Sequence, residues 1–161
     1  MAAATDNTFE SVTRAALLRS LDDASGKILR LADAIPEGRY GWRPMEGVMS
    51  VREVLIHLAE TNYSLSKRLG TPTPAGIDGR KLDAVADSKT AAIAVFKRSY
   101  EFVRGVLAAV PADDLLPEVN LFGAKAPQLR VALLPVDHAH EHLGQLIAYA
   151  RMNRIVPPWS K

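Results

Sequence analysis

The sequence predicts an all-α fold, a four-helix bundle with long crossing connections, and three observations predict it. Four stretches repeat apolar residues at helical spacing. Each is bounded by capping residues or by proline and glycine. No stretch shows strand alternation of any length. A chain of 161 residues is long enough to enclose one hydrophobic core, so a single domain over residues 1–161 is expected. With 48% hydrophobic and 24% charged residues, the chain is too apolar and too close to neutrality for a disordered one.

The first helix is expected from about Thr8 to Ala34, its stripe marked by Val12, Ala15, Leu18, Leu21, Ile28, Leu31 and Ala32. Pro36-Glu37-Gly38 ends it, and Gly41, Pro44 and Gly47 punctuate the loop between the first and second helices. Ser50-Val51-Arg52-Glu53 is a capping-box pattern, in which the serine and glutamate side chains each satisfy an orphan backbone N–H. It opens a second helix running to about Leu69. The next stretch, Gly70 to Gly76, carries Pro72 and Pro74; it breaks the helix and begins a connection long enough to cross the molecule. Ser88 caps a third helix, with Ala92, Ile93, Phe96, Tyr100, Val103 and Leu107 facing a core until Pro111. A second long loop spans Asp113 to Ala126. Pro127 suits the first turn of a fourth helix, which continues to about Met152 before Pro157-Pro158. Pro135 lies inside it, either as a tolerated bend or as a kink that aims the histidines just beyond it.

Several function classes are excluded or disfavoured by composition. There is no cysteine, so disulfides, thiolate ligands and a cysteine nucleophile are ruled out and any metal must be held by nitrogen and oxygen. The pI of about 9.0 arises from 20 Lys and Arg against 18 Asp and Glu, spread along the chain without the clustered basic face of a nucleic-acid binder. No apolar run approaches membrane-spanning length, and Met1 to Asn7 lacks the basic start and apolar core of a signal peptide. The expectation is a cytoplasmic protein that binds neither nucleic acid nor membrane.

Histidine is the chemical clue. Three of the four histidines lie within Asp137-His138-Ala139-His140-Glu141-His142. On a helix, His138 and His142 stand one above the other on one face, while His140 points nearly the opposite way. Two imidazoles need a third ligand to make an open catalytic site. The remaining histidine, His57, sits among apolar residues in Val54-Leu55-Ile56-His57-Leu58-Ala59, where it is either a hydrogen-bonded core residue or the third ligand facing the bundle interior. The string His138-x-x-Glu141-His142 also fits the inverted zinc metallopeptidase pattern, but those enzymes need a distant acidic ligand downstream. The 19 residues after His142 include no acid.

Three segments carry a resemblance to a known family. They are Trp42-Arg43-Pro44 with Met49 through Glu60; Asp137-His138 with Glu141-His142-Leu143-Gly144-Gln145-Leu146; and Tyr149 through Asn153 with Ile155 through Ser160. Together they resemble the DinB-like (DinB/YfiT) superfamily of metalloenzymes over nearly the full chain. The resemblance implies a four-helix bundle with long crossing connections, often a homodimer, holding one divalent metal ion, zinc or nickel, at His57, His138 and His142. It also implies an activity on a small-molecule substrate, either thiol-dependent transfer using a low-molecular-weight thiol or hydrolysis. A metal that lowers a thiol's pKa would make the thiolate without help from a protein cysteine. The competing expectation is a non-catalytic metal-binding or interaction bundle.

Other residues are candidates for the chemistry. Glu60 and Glu141 could assist as bases, although a helix-surface glutamate needs no function. Gln145 falls near the histidine stripe and could orient water or substrate, and packing explains the adjoining Gly144 equally well. Trp42 and Trp159 could line a pocket mouth or simply cover core. Arg43 and Arg151 could bind an anionic substrate or pair with carboxylates.

Overall fold

In the computed structural model, which describes residues 9–160, the four periodic stretches form α1 (Phe9–Ala34), α2 (Val51–Arg68), α3 (Lys89–Ala109) and α4 (Gln128–Met152). The expected start of α1 at Thr8 lies outside the described residues. Local chemistry sets the ends of α2 and α3. The Ser50 hydroxyl accepts from the Glu53 N–H at 3.3 Å while the Glu53 carboxylate accepts from the Ser50 N–H at 2.6 Å, so the capping box is complete. Ser88 caps α3 through the Ala91 N–H. No helix among the described residues is long and apolar enough to cross a membrane.

The helices share one hydrophobic cluster. Leu21, Ile28 and Leu31 of α1, Val54, Leu55 and Leu58 of α2, Phe96 and Val103 of α3, and Leu146 of α4 are among its fully buried members. Two expectations for the stripes fail in detail. Val12 is 53% exposed, so the first member of the α1 stripe does not face the core. Gly144 is exposed and a Cβ added there would meet nothing within 4 Å, so packing does not explain it.

Contacts define the arrangement of the bundle. α2 packs beside α3 and α4, and α1 beside α4 and α3. Consecutive helices α1 and α2 therefore lie diagonally, as do α3 and α4. The crossing connections are residues 35–50 and 110–127, whereas the longer connection 69–88, expected to cross the molecule, joins neighbours α2 and α3. Its length serves a different end, since it folds back beside α2 and walls a cavity that reaches His57.

The expectation of no strands is overturned. Residues Glu118–Leu121 (β1) and Ala124–Pro127 (β2) pair antiparallel, Val119 opposite Ala126 and Leu121 opposite Ala124. Leu121 is buried and Val119 half-buried while Glu118 and Asn120 face out, which is strand alternation four residues long. Its turn places Phe122 (φ 53) and Gly123 (φ 90) in the left-handed region, held by the Gly123 N–H donating to Asn120 Oδ1 at 2.9 Å. A phenylalanine at a position usually given to asparagine or glycine hides the turn from a sequence reading. Pro127 accordingly closes β2 and caps α4 from outside instead of standing in its first turn. α4 stays helical through Pro135.

Phe96 is 1% exposed at the centre of the core. Phe96→Ala is expected to lower the unfolding free energy by about 3–5 kcal/mol, and Ser50→Ala by about 1 kcal/mol. Urea titration checks both, and an unchanged midpoint for Phe96→Ala would contradict this packing.

Candidate metal centre

The α2–α4 contact brings the histidines together. His57 projects from the middle of α2, and His138 and His142 lie one turn apart on the facing side of α4. His138 Nε2 is 3.0 Å from His57 Nε2 and 3.0 Å from His142 Nε2. The three rings meet edge to face, with centroids 4.4 to 5.0 Å apart, and one nitrogen from each lies within 4.8 Å of the others. His142 is buried, and His57 and His138 are half-buried.

This donor set fits a divalent cation. Nitrogens around a tetrahedral zinc stand about 3.3 Å apart, given metal–nitrogen bonds of about 2.0–2.1 Å, close to the two spacings seen here. Without a cation the cluster is poorly satisfied, because a neutral ring nitrogen carries either one hydrogen or one lone pair. A hydrogen on His138 Nε2 must be shared between two acceptors, and in its absence the one lone pair there can accept from only one of the two neighbouring nitrogens. A cation at the point of convergence accepts all three lone pairs.

Behind His142 runs a chain of hydrogen bonds. Gln145 Oε1 lies 2.6 Å from His142 Nδ1, Gln145 Nε2 donates to the Tyr149 hydroxyl at 2.8 Å, and Tyr149 donates to the Met49 carbonyl at 3.0 Å. Trp42 covers Tyr149 edge to face, centroids 5.3 Å apart. Trp42 thus packs against the back of the centre and lines none of its cavities, and Gln145 faces a histidine where the sequence suggested water or substrate.

Burial disfavours the charged form of His57 and His138. Desolvation, reinforced by repulsion from His142 and then His57, pushes His138 from its usual 6.5 down to about 4. Desolvation and the His142 charge also lower His57, with Glu141 opposing. Neutral imidazole is the form that ligates a metal. Glu141 is exposed and touches the centre only through this weak field. Glu60, one turn beyond His57, is different: burial, and then the Asp83 charge, raise its carboxyl above the usual range. His140 is exposed and its Nδ1 binds the Val136 carbonyl of its own helix at 2.9 Å, as its helical angle predicts.

Two cavities flank the centre and share His57 and Glu60. The larger, about 940 Å³, runs along α2 past Thr61, Ser64 and Lys67 and is walled by Thr73, Ile77 and Arg80 of the 69–88 connection. The smaller, about 400 Å³, lies beneath the 43–49 loop. Arg43 lines it but is paired with Glu53 at 3.0 Å. Arg151 and Trp159 lie away from the centre; Trp159 stacks under Arg30, 5.7 Å from its ring. Sequence reading missed Tyr149, the Met49 carbonyl and the cavity wall. Tyr149 was within reach, because His138, His142, Gln145 and Tyr149 succeed one another at helical spacing on one face of α4.

The sequence profile of the DinB superfamily matches residues 20–146, a span that holds all three clustered histidines. The chain belongs to the DinB superfamily. Among solved structures, a DinB-like protein of Bacillus subtilis (YjoA) is similar at a TM-score of 0.69 and 20% identity, covering 90% of this chain and 96% of the other. At that identity the likeness concerns the fold, and it agrees with the all-α bundle. Comparison with curated proteins finds no significant relative.

The low His138 value has a consequence for the metal-free protein. The unfolded chain takes up protons near 6.5 and the folded one near 4, so acid favours unfolding. This contribution to stability is complete above about pH 6.5, is lost as pH falls toward about 4, and is constant below. Glu60, with its raised value, works in the opposite direction, so the comparison to make is with His138→Gln. Urea midpoints of metal-stripped protein should fall less steeply across this window in His138→Gln than in the unmodified chain; parallel profiles would contradict the assignment.

Proposed function

We propose that this member of the DinB superfamily is a metal-dependent enzyme in which His57, His138 and His142 hold one divalent ion, zinc or nickel, through Nε2. The observation that carries the reading is the placement of His57. It is both a member of the three-nitrogen cluster and part of the wall of two open cavities, so a substrate can reach the side of the cluster that the protein leaves uncovered. A structural metal site is closed by protein on all sides, and a catalytic one keeps a position open.

When bound, the ion would supply Lewis-acid chemistry, lowering the pKa of a coordinated thiol or water. A low-molecular-weight thiol would make the reaction a transfer, and water would make it a hydrolysis. The chain's own residues supply the rest. Glu60, its carboxyl raised by burial and shared by both cavities, is suited to take a proton from the attacking group and return it to the leaving one. Thr61, Ser64 and Thr73 offer hydroxyls to a polar substrate, and Lys67 and Arg80 line the larger cavity together with Asp78. Burial favours neutral His57 and His138, the form that ligates. The homodimer belongs to the same proposal and rests on the family resemblance.

Elemental analysis of untagged protein should find near one divalent ion per chain, lost in His57→Ala, His138→Ala and His142→Ala and kept in His140→Ala. A metal-free protein indifferent to all four changes would refute the proposal. Glu60→Gln should keep the ion while slowing thiol transfer to an activated electrophile, or hydrolysis of an activated ester, by about 10²–10⁴-fold. Full metal with no turnover of either kind would point instead to a non-catalytic bundle.

A further inference from the structure

We infer that Gln145, Tyr149 and the Met49 carbonyl form a directional relay that fixes the tautomer of His142, leaving its Nε2 bare toward the cluster. The inference rests on the metal-site reading for its purpose and on geometry alone for its mechanism. A backbone carbonyl only accepts, so the Tyr149 hydroxyl, 3.0 Å from the Met49 oxygen, spends its one hydrogen there. The hydroxyl must then accept from Gln145, which turns the amide nitrogen toward Tyr149 at 2.8 Å. The amide oxygen is left facing His142 Nδ1 at 2.6 Å. An oxygen at that distance requires a hydrogen on Nδ1, and a neutral imidazole with its hydrogen on Nδ1 presents a lone pair at Nε2.

Each step is dictated by an acceptor with no alternative, so the polarity of the chain is set at its far end, on the loop before α2. The relay is protected there. Tyr149 is 6% exposed and Trp42 packs edge-on against it. Met49 also lines the smaller cavity over His57 and Glu60, so the anchor of the relay lies in the wall of the proposed substrate space. Gln145 is thus a positioning residue, acting on the metal through His142 and not on a substrate.

The test has a readout that does not need the metal. Long-range proton–nitrogen correlation on metal-free protein labelled at histidine nitrogen should show His142 with its hydrogen on Nδ1. In Gln145→Leu this preference should be lost and zinc affinity, measured by competition with a chelator, should fall about 10–100-fold. Gln145→Glu, whose carboxylate still accepts from Nδ1, should keep the tautomer and hold affinity within a few-fold. Tyr149→Phe keeps the ring but frees the amide to turn, and should give a mixture of tautomers. A His142 hydrogen on Nε2 in the unmodified chain would overturn the relay. So would an unchanged tautomer and affinity in both Gln145→Leu and Tyr149→Phe. If the unmodified chain binds neither zinc nor nickel, the metal proposal fails while the tautomer result still decides the relay.

Discussion

The candidate centre depends on one packing decision, the placement of α2 directly beside α4. His57 contributes nothing to the cluster unless its helix faces the His138–His142 stripe, and residues 57 and 138 are far apart in sequence. What forces that neighbourhood is topology. With α1 diagonal to α2 and α3 diagonal to α4, the bundle interleaves its first and second halves, so each half must supply a face to the other. Apolar residues flank the histidines on both helices: Leu58 and Ala59 on α2, Ala139 and Leu143 on α4. Hydrophobic burial therefore holds together the same faces that carry the imidazoles, and the cost of gathering three polar rings is met by packing around them.

That coupling explains what could be read from the sequence. Helix positions were legible because capping and breaking residues such as Ser50, Ser88 and Pro111 act locally, and the His138–His142 pair because helical spacing is local too. The assignment of His57 could not come from spacing. Its apolar neighbours fit a core histidine as well as a ligand; only the resemblance to the family favours a ligand, and the α2–α4 contact places the ring beside the other two. Which connections cross the bundle was also illegible, since loop length bounds reach without fixing destination: the long 69–88 stretch returns to a neighbour. The hairpin was missed because Phe122 occupies a left-handed turn position that gives no signal.

The centre also balances two opposing demands. Burial lowers the basicity of His57 and His138, which keeps them neutral but leaves uncharged nitrogens crowded at 3.0 Å. A fully buried cluster would seal the ion from substrate, and a fully exposed one would protonate more readily and orient poorly. The structure divides the task by depth. His142, the deepest, is held from behind by Gln145, whereas His57 lies toward the cavities and has Glu60 beside it on the same helix. Rigidity is placed on α4 and access on α2.

This division suggests where the superfamily's chemistry can vary without loss of the centre. One face of α2 carries core residues such as Leu55 and Leu58, and the other carries His57, Glu60, Thr61, Ser64 and Lys67 along the cavity. Across from them stands the 69–88 connection, which joins adjacent helices; its Leu82 and Ala86 are buried in the core, and Thr73 and Arg80 face the cavity. Substitutions at Thr73 or Arg80 alter the cavity wall, whereas Ile77 also packs against the core. Loops that carry specificity are commonly those a rigid scaffold positions but does not need. Under the proposed function, the 69–88 wall and the cavity face of α2 would select the substrate, and what the three histidines hold would set the reaction type.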